Sequence, residues 1–374
     1  MPQDLMRNIT GRLLLPLLLS LSSSAAAAQR TALPRGADPN DWNSYYDRGV
    51  ELLGRDGAAA DEMFRRAARL DPTRPEPLYA RWVVFHLRDI GRFEQYQLDD
   101  ERVLRNPAVV AADSLQMQAL IRNPFVHRGL IALAWDQLPG KWRDDAYTRA
   151  FLAYARGELP RAAQDLEAVL RRSPRDLRVR RGLALTLVNL RRYDAALVEL
   201  DSVLAGLRRG EERRLTPVYE SKELLLYGIG LLHLAQNRTA QAREAFAQAV
   251  LEDASQWYVH RGLGLALLAE DNARGALDEY RTALELAGED PLLLGEYADA
   301  LWAAGEHAAA AEQLARLVRI APEWASPWRA LGNANLAAGR KAEAIEAFTT
   351  YLARAPRSDA DAVARVRTQL EQLR

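Results

Sequence analysis

The chain has 374 residues and carries 50 Lys and Arg against 50 Asp and Glu, so its formal net charge at pH 7 is zero. A balanced charge removes the electrostatic attraction on which binding to nucleic acid largely depends. The chain also lacks cysteine, which excludes disulfides and a cysteine-linked lipid anchor. A chain of this length builds its core without disulfides, so their absence is compatible with export.

The N-terminal end of the chain differs in composition from everything that follows. Arg7 and Arg12 precede a short apolar run at residues 13–21, and small residues continue to Ala28. This order is typical of a secretory signal peptide, which we predict over residues 1–28. The apolar run is too short to span a bilayer. We therefore expect an exported protein, periplasmic or secreted, with no membrane span after signal cleavage; an uncleaved N-terminal anchor is the alternative.

A repeat with a period of 34 residues begins after a leader at 29–40, which is rich in Pro and Gly and is predicted to be flexible. Ala60 and Ala162 lie three such steps apart. A fixed period of this size indicates stacked helical units. We predict N-terminal repeats over 41–142, two of which are degenerate because most of the consensus is lost.

One sequence echo competes with this arithmetic. Residues 125–135 (FVHRGLIALAW) are similar to residues 258–268 (YVHRGLGLALL), which belong to the first helix of their repeat. The 34-residue register instead makes the chain from Phe125 onward a second helix. We favour the register, because it leaves an even number of helices before the next repeat, and we treat the echo as chance.

Two further repeats are predicted at 143–210, after which the phase slips. Ala184 and Gly230 hold the same place in their repeats but are 46 residues apart, so residues have been inserted between them. We assign the insertion to 211–222, where charged side chains are frequent. The pattern predicts a solvated loop that joins a lengthened helix pair; a docking element is the alternative, because insertions in solenoids lie on one face.

Four contiguous repeats are predicted at 223–358, and a C-terminal capping helix at 359–374. In these repeats, small residues and bulky residues recur in phase at Gly230, Gly264, Ala298 and Gly332, and at Phe246, Tyr280, Leu314 and Phe348. One helix pair cannot bury both of its faces, so successive pairs have to stack. The last pair then needs a cap, and the final residues form an amphipathic pattern that supplies it.

The final repeat shows which kind of unit this is. Its pattern residues are, in order, Trp328, Leu331, Gly332, Ala344, Phe348 and Pro356. They match the spacing W-x2-L-G…A-x3-F…P of the tetratricopeptide repeat, with Asn335 where an aromatic residue is usual. The chain therefore resembles the tetratricopeptide repeat family. The resemblance implies an all-α fold, a right-handed superhelical solenoid of antiparallel helix pairs with about nine repeats and a C-terminal capping helix.

No group of residues in the sequence points to catalysis. The five histidines are scattered, and none has a partner at the spacing of a helical metal site. The sequence also lacks a Gly-rich phosphate loop and a nucleophile elbow. We expect a non-catalytic protein with no cofactor and no metal site.

The resemblance also implies where a partner would bind. In this family the first helices of successive repeats line a concave groove that holds extended peptides. Advancing the register along the chain gives these candidate binding residues: Tyr147, Phe151, Tyr154, Arg178, Arg181, Tyr227, Tyr258, Arg261, Trp302, Arg329 and Asn333. Arginine beside aromatic residues suits carboxylates and flat or extended ligands. The alternative is that several of these side chains pack between neighbouring helices.

Two functions follow from this sequence reading. The favoured one is an exported scaffold that holds protein or peptide partners in a cell-envelope or secretion complex. The second is a scaffold associated with exopolysaccharide assembly or export, in which groove aromatics would stack on the sugar rings of a polysaccharide. Some cytoplasmic relatives clamp a partner's C-terminal carboxylate, but only Arg329 and Asn333 are placed like one rung of that clamp, so binding of a chaperone tail is not expected.

Overall fold

All regular structure in the described part of the chain is helical. The computed structural model describes residues 32–89, 107–130, 146–212 and 221–373. Within these ranges there are 17 α-helices and no strand, which confirms the predicted all-α fold of packed helix pairs. The predicted signal peptide and most of the charged insertion lie outside the described residues.

The helices follow one another along the chain as packed pairs. In the N-terminal part they are α1 (Trp42–Leu52), α2 (Gly57–Leu70), α3 (Pro75–Asp89), α4 (Pro107–Arg122), α5 (Ala146–Ala155), α6 (Leu159–Arg172), α7 (Leu177–Asn189) and α8 (Tyr193–Glu212). In the C-terminal part they are α9 (Lys222–Leu234), α10 (Thr239–Glu252), α11 (Trp257–Ala269), α12 (Ala273–Ala287), α13 (Pro291–Ala303), α14 (His307–Ile320), α15 (Ala325–Ala337), α16 (Lys341–Arg354) and, after a short 3-10 turn, α17 (Ala360–Leu373). None of the described helices combines the length and the apolar character needed to cross a membrane.

The turn inside each pair from α5 onward uses the same backbone device. One residue with a left-handed φ ends the first helix: Gly157 (80°), Arg191 (58°), Asn237 (56°), Asp271 (59°), Gly305 (80°) and Gly339 (77°). In the last pair the Gly339 N–H donates to the Leu336 carbonyl at 3.1 Å, and the Arg340 N–H donates to the Asn335 carbonyl at 2.8 Å. These bonds satisfy the terminal carbonyls of α15, so the helix ends there and the chain reverses.

Each regular pair is packed around one small and one bulky residue. A Cβ added at Gly230 would lie 2.5 Å from the Phe246 ring, and one added at Gly332 would lie 2.4 Å from the Phe348 ring. Both distances are far inside van der Waals contact, so the aromatic ring fits only against glycine. Where the small residue is alanine, the bulky residue is leucine, as in Ala150 with Leu166, Ala184 with Leu200 and Ala298 with Leu314.

The C-terminal helix α17 covers the apolar side of the last pair. Val366 and Leu370 are buried in one cluster with Phe348 and Tyr351 of α16. This helix therefore covers apolar residues that α16 would otherwise expose.

The N-terminal pairs fold back onto the C-terminal ones. The Arg357 backbone N–H donates to Asp38 Oδ2 at 2.5 Å, and its guanidinium donates to the Gly36 carbonyl at 3.1 Å, across more than three hundred residues of sequence. Arg69 on α2 forms an ion pair with Glu323, between α14 and α15, at 3.1 Å. The two ends of the array therefore meet, and the leader residues Gly36 and Asp38, predicted to be flexible, hold defined contacts.

The prediction of a second helix from Phe125 onward is wrong for the described residues. Residues 125–130 are not helical: turns at 124–125 and 129–130 flank an irregular stretch, and the remainder of that predicted helix lies outside the described residues. The cause is local: the Asn123 side chain accepts a hydrogen bond from the Phe125 N–H at 2.9 Å, and Pro124 between them has no N–H to donate. This Asx turn ends the helix before the register would.

The charged insertion begins as an extension of α8. This helix has 20 residues, whereas the second helix of the preceding pair, α6, has 14. Arg208 and Lys222 both pair with Glu252 at the end of α10, at 3.1 Å and 2.6 Å. The ion pair of Arg208 thus joins the extended end of α8 to the following helix pair.

Candidate functional site

The resemblance places the groove on the surface formed by the first helices of the repeats, which we call the concave face; at α9 and α11 this surface is covered by the protein's own chain. Residues 121–130, the end of α4 and the turns after it, lie against α9 and α11; we call this stretch the inserted segment. The Ile121 side chain is 3% exposed and packs in one cluster with Tyr258. The Ile121 carbonyl accepts hydrogen bonds from Tyr227 Oη at 2.8 Å and Arg261 Nη1 at 3.5 Å. Two predicted groove residues therefore already hold a backbone carbonyl from within the molecule.

Arg261 anchors this contact through a buried ion pair. Its Nε and Nη2 atoms donate to the two carboxylate oxygens of Glu296 on α13 at 2.8 Å and 2.6 Å, and its Nη1 atom contacts the Tyr227 hydroxyl. Burial alone would lower the pKa of Arg261, but Tyr227 and Glu296 outweigh burial and raise it. The guanidinium stays charged and fully paired, so this part of the wall is fixed.

A second arginine holds the inserted segment from its own side. Arg122 donates to the Pro72 carbonyl at 2.6 Å and to Asp290 Oδ2 at 3.4 Å, and its side chain is 4% exposed. Burial lowers the pKa of Arg122, and Asp290 opposes that shift. Because Asp290 also accepts from the Leu292 N–H at 2.9 Å at the start of α13, the N-terminal helices are joined to a helix end of the C-terminal repeats.

Two of the predicted tyrosines are packing residues. Tyr258 is 3% exposed and donates to Glu223 Oε1 at 3.0 Å. Tyr154 is 1% exposed, and its hydroxyl accepts from Asn189 Nδ2 at 3.3 Å and from the Arg128 backbone N–H at 3.4 Å. Burial raises the pKa of Tyr154 to about 12, so the phenol stays neutral. These side chains hold helices together and do not offer a surface.

The described residues leave one part of the concave face open. A cleft of about 640 Å³ lies between the first helices α5, α7 and α9, and the inserted segment forms another of its walls; we call it the open cleft. Four of the predicted residues line it: Tyr147, Phe151, Arg178 and Arg181. The Arg178 guanidinium lies 5.9 Å from the centre of the Tyr147 ring, and both arginines are exposed. The predicted combination of arginine and aromatic residues is therefore present at this cleft.

The inserted segment adds Phe125 and Arg128 to the lining of the open cleft. The Arg128 Nε atom is buried and has no hydrogen-bond partner, and the same is true of the Tyr79 hydroxyl on α3. None of the described residues that line this cleft is Asp or Glu. The described lining of the cleft is therefore cationic, and one donor of a lining residue, the Arg128 Nε atom, has no acceptor.

The last three predicted residues lie on α13 and α15. The Trp302 ring is 44% exposed and lies 4.5 Å from the His307 ring, while Arg329 lies 5.8 Å from the centre of the Tyr351 ring. Asn333 is half-buried on α15. Asp299, one turn before Trp302, reaches solvent, yet partial burial and the nearby Glu296 raise its pKa to about 6.

The structure thus divides the predicted residues into three groups. Tyr147, Phe151, Arg178 and Arg181 share the open cleft; Tyr154, Tyr227, Tyr258 and Arg261 are buried in internal contacts; Trp302, Arg329 and Asn333 lie on α13 and α15. Within the part of the chain that the structure describes, no three His, Asp or Glu side chains are placed to hold a metal ion.

Comparison with known families decides what kind of protein carries this geometry. One model of the tetratricopeptide repeat matches residues 153–210, and a second matches residues 227–291, 267–324 and 296–359. Together these ranges span just over half of the 374 residues. The chain is a tetratricopeptide repeat protein. Its class is that of repeat scaffolds which mediate protein–protein interaction.

Solved structures of other tetratricopeptide repeat proteins are similar to this one in fold. YrrB, a tetratricopeptide repeat protein with an unusual peptide-binding site, has 18% identity and a TM-score of 0.41, over 52% of this chain and 93% of that chain. The C-terminal part of a repeat protein from Cytophaga hutchinsonii has 13% identity and a TM-score of 0.48, over 61% and 84% of the two chains. A repeat protein from Parabacteroides merdae has 13% identity and a TM-score of 0.41, over 89% and 98%. No curated protein sequence matches the chain.

In this tetratricopeptide repeat protein, the inserted segment is what the sequence reading missed. The echo between the two similar stretches aligns Arg128 with Arg261. In the structure each arginine meets a tyrosine: Arg261 contacts the Tyr227 hydroxyl, and the Arg128 backbone donates to the Tyr154 hydroxyl. The two contacts differ, because one uses the arginine side chain and the other the backbone, and the assumption of helical phase did not predict the irregular stretch in which Arg128 lies.

Proposed function

We propose that this protein is an exported, non-catalytic scaffold that holds a protein partner in a cell-envelope or secretion complex. The observation that carries the proposal is the open cleft, the part of the concave face that the described residues leave unfilled. Aromatic residues and arginine are enriched at the centres of protein interfaces, and Tyr147, Phe151 and Arg181 supply both at this cleft.

The inserted segment supports a peptide as the ligand of the concave face. The Ile121 side chain packs in one cluster with Tyr227 on α9. The Ile121 carbonyl accepts hydrogen bonds from Tyr227 and from Arg261 on α11. The wall therefore has the chemistry to bind polypeptide, and the neighbouring first helices repeat the same architecture. A partner that continues along the open cleft would meet the same kind of surface.

Scaffolding of exopolysaccharide assembly or export is the second candidate. The observation in its favour is Trp302, whose ring is 44% exposed on the first helix α13. Exposed aromatic rings offer a flat apolar face to a sugar ring, as they do to other flat ligands. This function would place the binding surface at α13 and α15 and leave the open cleft without a role.

Capture of partners from an envelope extract tests the scaffold. The purified full chain should retain discrete protein partners, and the double variant R178E/R181E should lose them, because two exposed cations of the open cleft are reversed. A matched control is R274E/R281E, which reverses two exposed arginines on the second helix α12. Equal capture by both double variants would exclude the open cleft, and glycan-array binding without protein capture would favour the second candidate.

The proposed export has its own test. Expression of the full chain in a bacterial host should deliver it across the inner membrane, with a new N-terminus at Gln29, because the signal peptide is cleaved after small residues. Sequencing the N-terminus of the exported protein measures this. A product that stays in the cytoplasm with its first residues intact would contradict export.

A further inference from the structure

A second pocket lies away from the open cleft, between the second helices α14 and α16 and against α15. Its volume is about 360 Å³, a size that suits a small ligand or a single side chain. We call it the α15 pocket. Its polar lining residues are Glu312, Asn335, Arg340, Glu343 and Glu346. None of its described lining residues also lines the open cleft, so an inference about this pocket does not rest on the proposed function.

Asn335 is the unusual residue of the α15 pocket. The repeat pattern usually has an aromatic residue at this place, and the preceding repeat has Leu301, which is 3% exposed. Asn335 is 5% exposed, and its side-chain amide has no hydrogen-bond partner among the described residues. Buried polar groups are almost always paired. Because Asn335 lines the pocket, its amide indicates a polar ligand that enters from outside the chain.

The charge of the α15 pocket is negative. Glu312, Glu343 and Glu346 line it against one cation, Arg340. Arg340 pairs with Glu312 at 3.9 Å, and the carboxylates of Glu343 and Glu346 are exposed at the pocket. In the described part of the chain, no three acidic or histidine side chains are placed to hold a metal ion. The lining therefore favours an organic cation.

The rest of the lining is apolar and has small side chains. Ala311, Ala315 and Ala347 leave room between the helices, and Trp328 supplies a ring. The Trp328 Nε1 atom donates to the Pro322 carbonyl at 3.1 Å, which fixes the ring. Arg354, outside the lining, already lies 5.4 Å from the ring centre, so the carboxylates are the groups that attract a further cation. This surface suits the methylene groups of a ligand rather than its charge.

We infer that the α15 pocket binds an alkylammonium or alkylguanidinium group. The N–H groups of such a cation donate to the Asn335 side-chain oxygen and to the carboxylates of Glu343 and Glu346, and its methylene groups lie against Trp328. Ammonium and guanidinium groups carry donors and no acceptor, so they match a lining of acceptors. The same chemistry occurs in free amines and in the Lys or Arg side chain of a protein.

Calorimetric titration of the purified full chain tests the inference and distinguishes these two sources. Cadaverine and agmatine represent the free amines, and N-acetyl-lysine amide represents a side chain of a protein. Pentanediol is the neutral control, because it has the chain length of cadaverine without its charge. We expect at least one of the cations to bind about tenfold or more tightly than pentanediol, since hydrogen bonds to carboxylates strengthen with charge.

The variant N335L assigns binding to the α15 pocket. It copies Leu301 of the preceding repeat, so it removes the amide and fills the space beside it. We expect the affinity for the bound cation to fall about tenfold or more. Thermal melting of N335L should show no loss of stability, because an unpaired buried polar group is replaced by an apolar one.

A second variant keeps the pocket open and changes only its charge. E343Q/E346Q should weaken binding of the same cation several-fold, because two carboxylates become neutral. E244Q/E285Q is the matched control: it neutralises two exposed glutamates on the second helices α10 and α12, and the affinity should not change.

Each outcome of these titrations bears on the inference. Binding of the free amines alone, or of the lysine derivative alone, supports it and identifies the source of the cation. Absence of binding by all three cations, or equal binding of pentanediol, would overturn it; the Asn335 amide would then hold only water. Unchanged affinity in both N335L and E343Q/E346Q, or an equal loss in E244Q/E285Q, would also overturn it. None of these results depends on capture of a partner at the open cleft.

Discussion

The four contiguous repeats α9–α16 and the end of helix α4, at Ile121 and Arg122, are held by different kinds of contact. In the repeats, a bulky residue meets a small residue of its own pair, as Phe348 meets Gly332. In the N-terminal part, the Ile121 carbonyl meets Tyr227, 106 residues away, and Arg122 meets Asp290, 168 residues away. The first kind of contact recurs with the period, and the second occurs once. The repeats thus form the wall of the groove, while the single long-range contacts hold the inserted segment against that wall.

The largest expected effect is at the junction between the two regions. R261M removes the guanidinium that pairs with Glu296 and holds the Ile121 carbonyl, and it leaves a largely buried carboxylate without a partner. We expect a loss of about 3–5 kcal/mol in the free energy of unfolding, measured by urea denaturation. The double variant R261M/E296L should lose less, because both charges are removed together. If R261M unfolds like the unmodified protein, the junction does not hold the two regions together.

A smaller effect is expected inside the regular repeats. G332A brings a Cβ within 2.4 Å of the Phe348 ring, which has to move, so we expect a loss of about 1–3 kcal/mol. The double variant G332A/F348L copies the natural combination Ala298 with Leu314 and should recover part of that loss. Thermal unfolding of the two variants measures the difference. If the double variant is as unstable as G332A alone, a smaller side chain at position 348 does not compensate for the larger one at position 332.

The smallest effect is expected at Asp299, on the concave wall beside Glu296. Because its folded pKa is raised to about 6, folding favours the protonated carboxyl, and this contribution to stability is lost as pH rises from about 4 through about 6. Asparagine does not ionise, so D299N should match the unmodified protein near pH 4 and exceed it near pH 7. The side chain still reaches solvent, so we expect a gain on the order of 0.5 kcal/mol after screening. Equal differences in melting temperature at both pH values would contradict a role for the charge.

The regular part of the fold followed from the sequence because its contacts are local. The small and the bulky residue of a contact belong to the same helix pair, as in Gly230 with Phe246 and Gly332 with Phe348. Their spacing along the chain therefore predicts that they pack together. The same arithmetic located Tyr147, Phe151, Arg178 and Arg181 on successive first helices, and the structure brings them to one cleft. Burial of Tyr227 and Arg261 was not predictable in this way, since the residue that covers them, Ile121, belongs to a degenerate repeat.

The sequence by itself determined the helix pairs, the turns between them and the direction in which their first helices face. These features depend on residues that are close in the chain, and the same residue pattern recurs every 34 residues. Only the tertiary structure decided that α4 and the turns after it enter the groove, and which stretch of wall stays open. That decision depends on a few contacts between distant residues, such as Arg122 with Asp290 and Arg357 with Asp38, for which no repeated pattern exists. A single pairing of distant groups is fixed by the whole folded chain, because its free energy appears only when both sides are already in place.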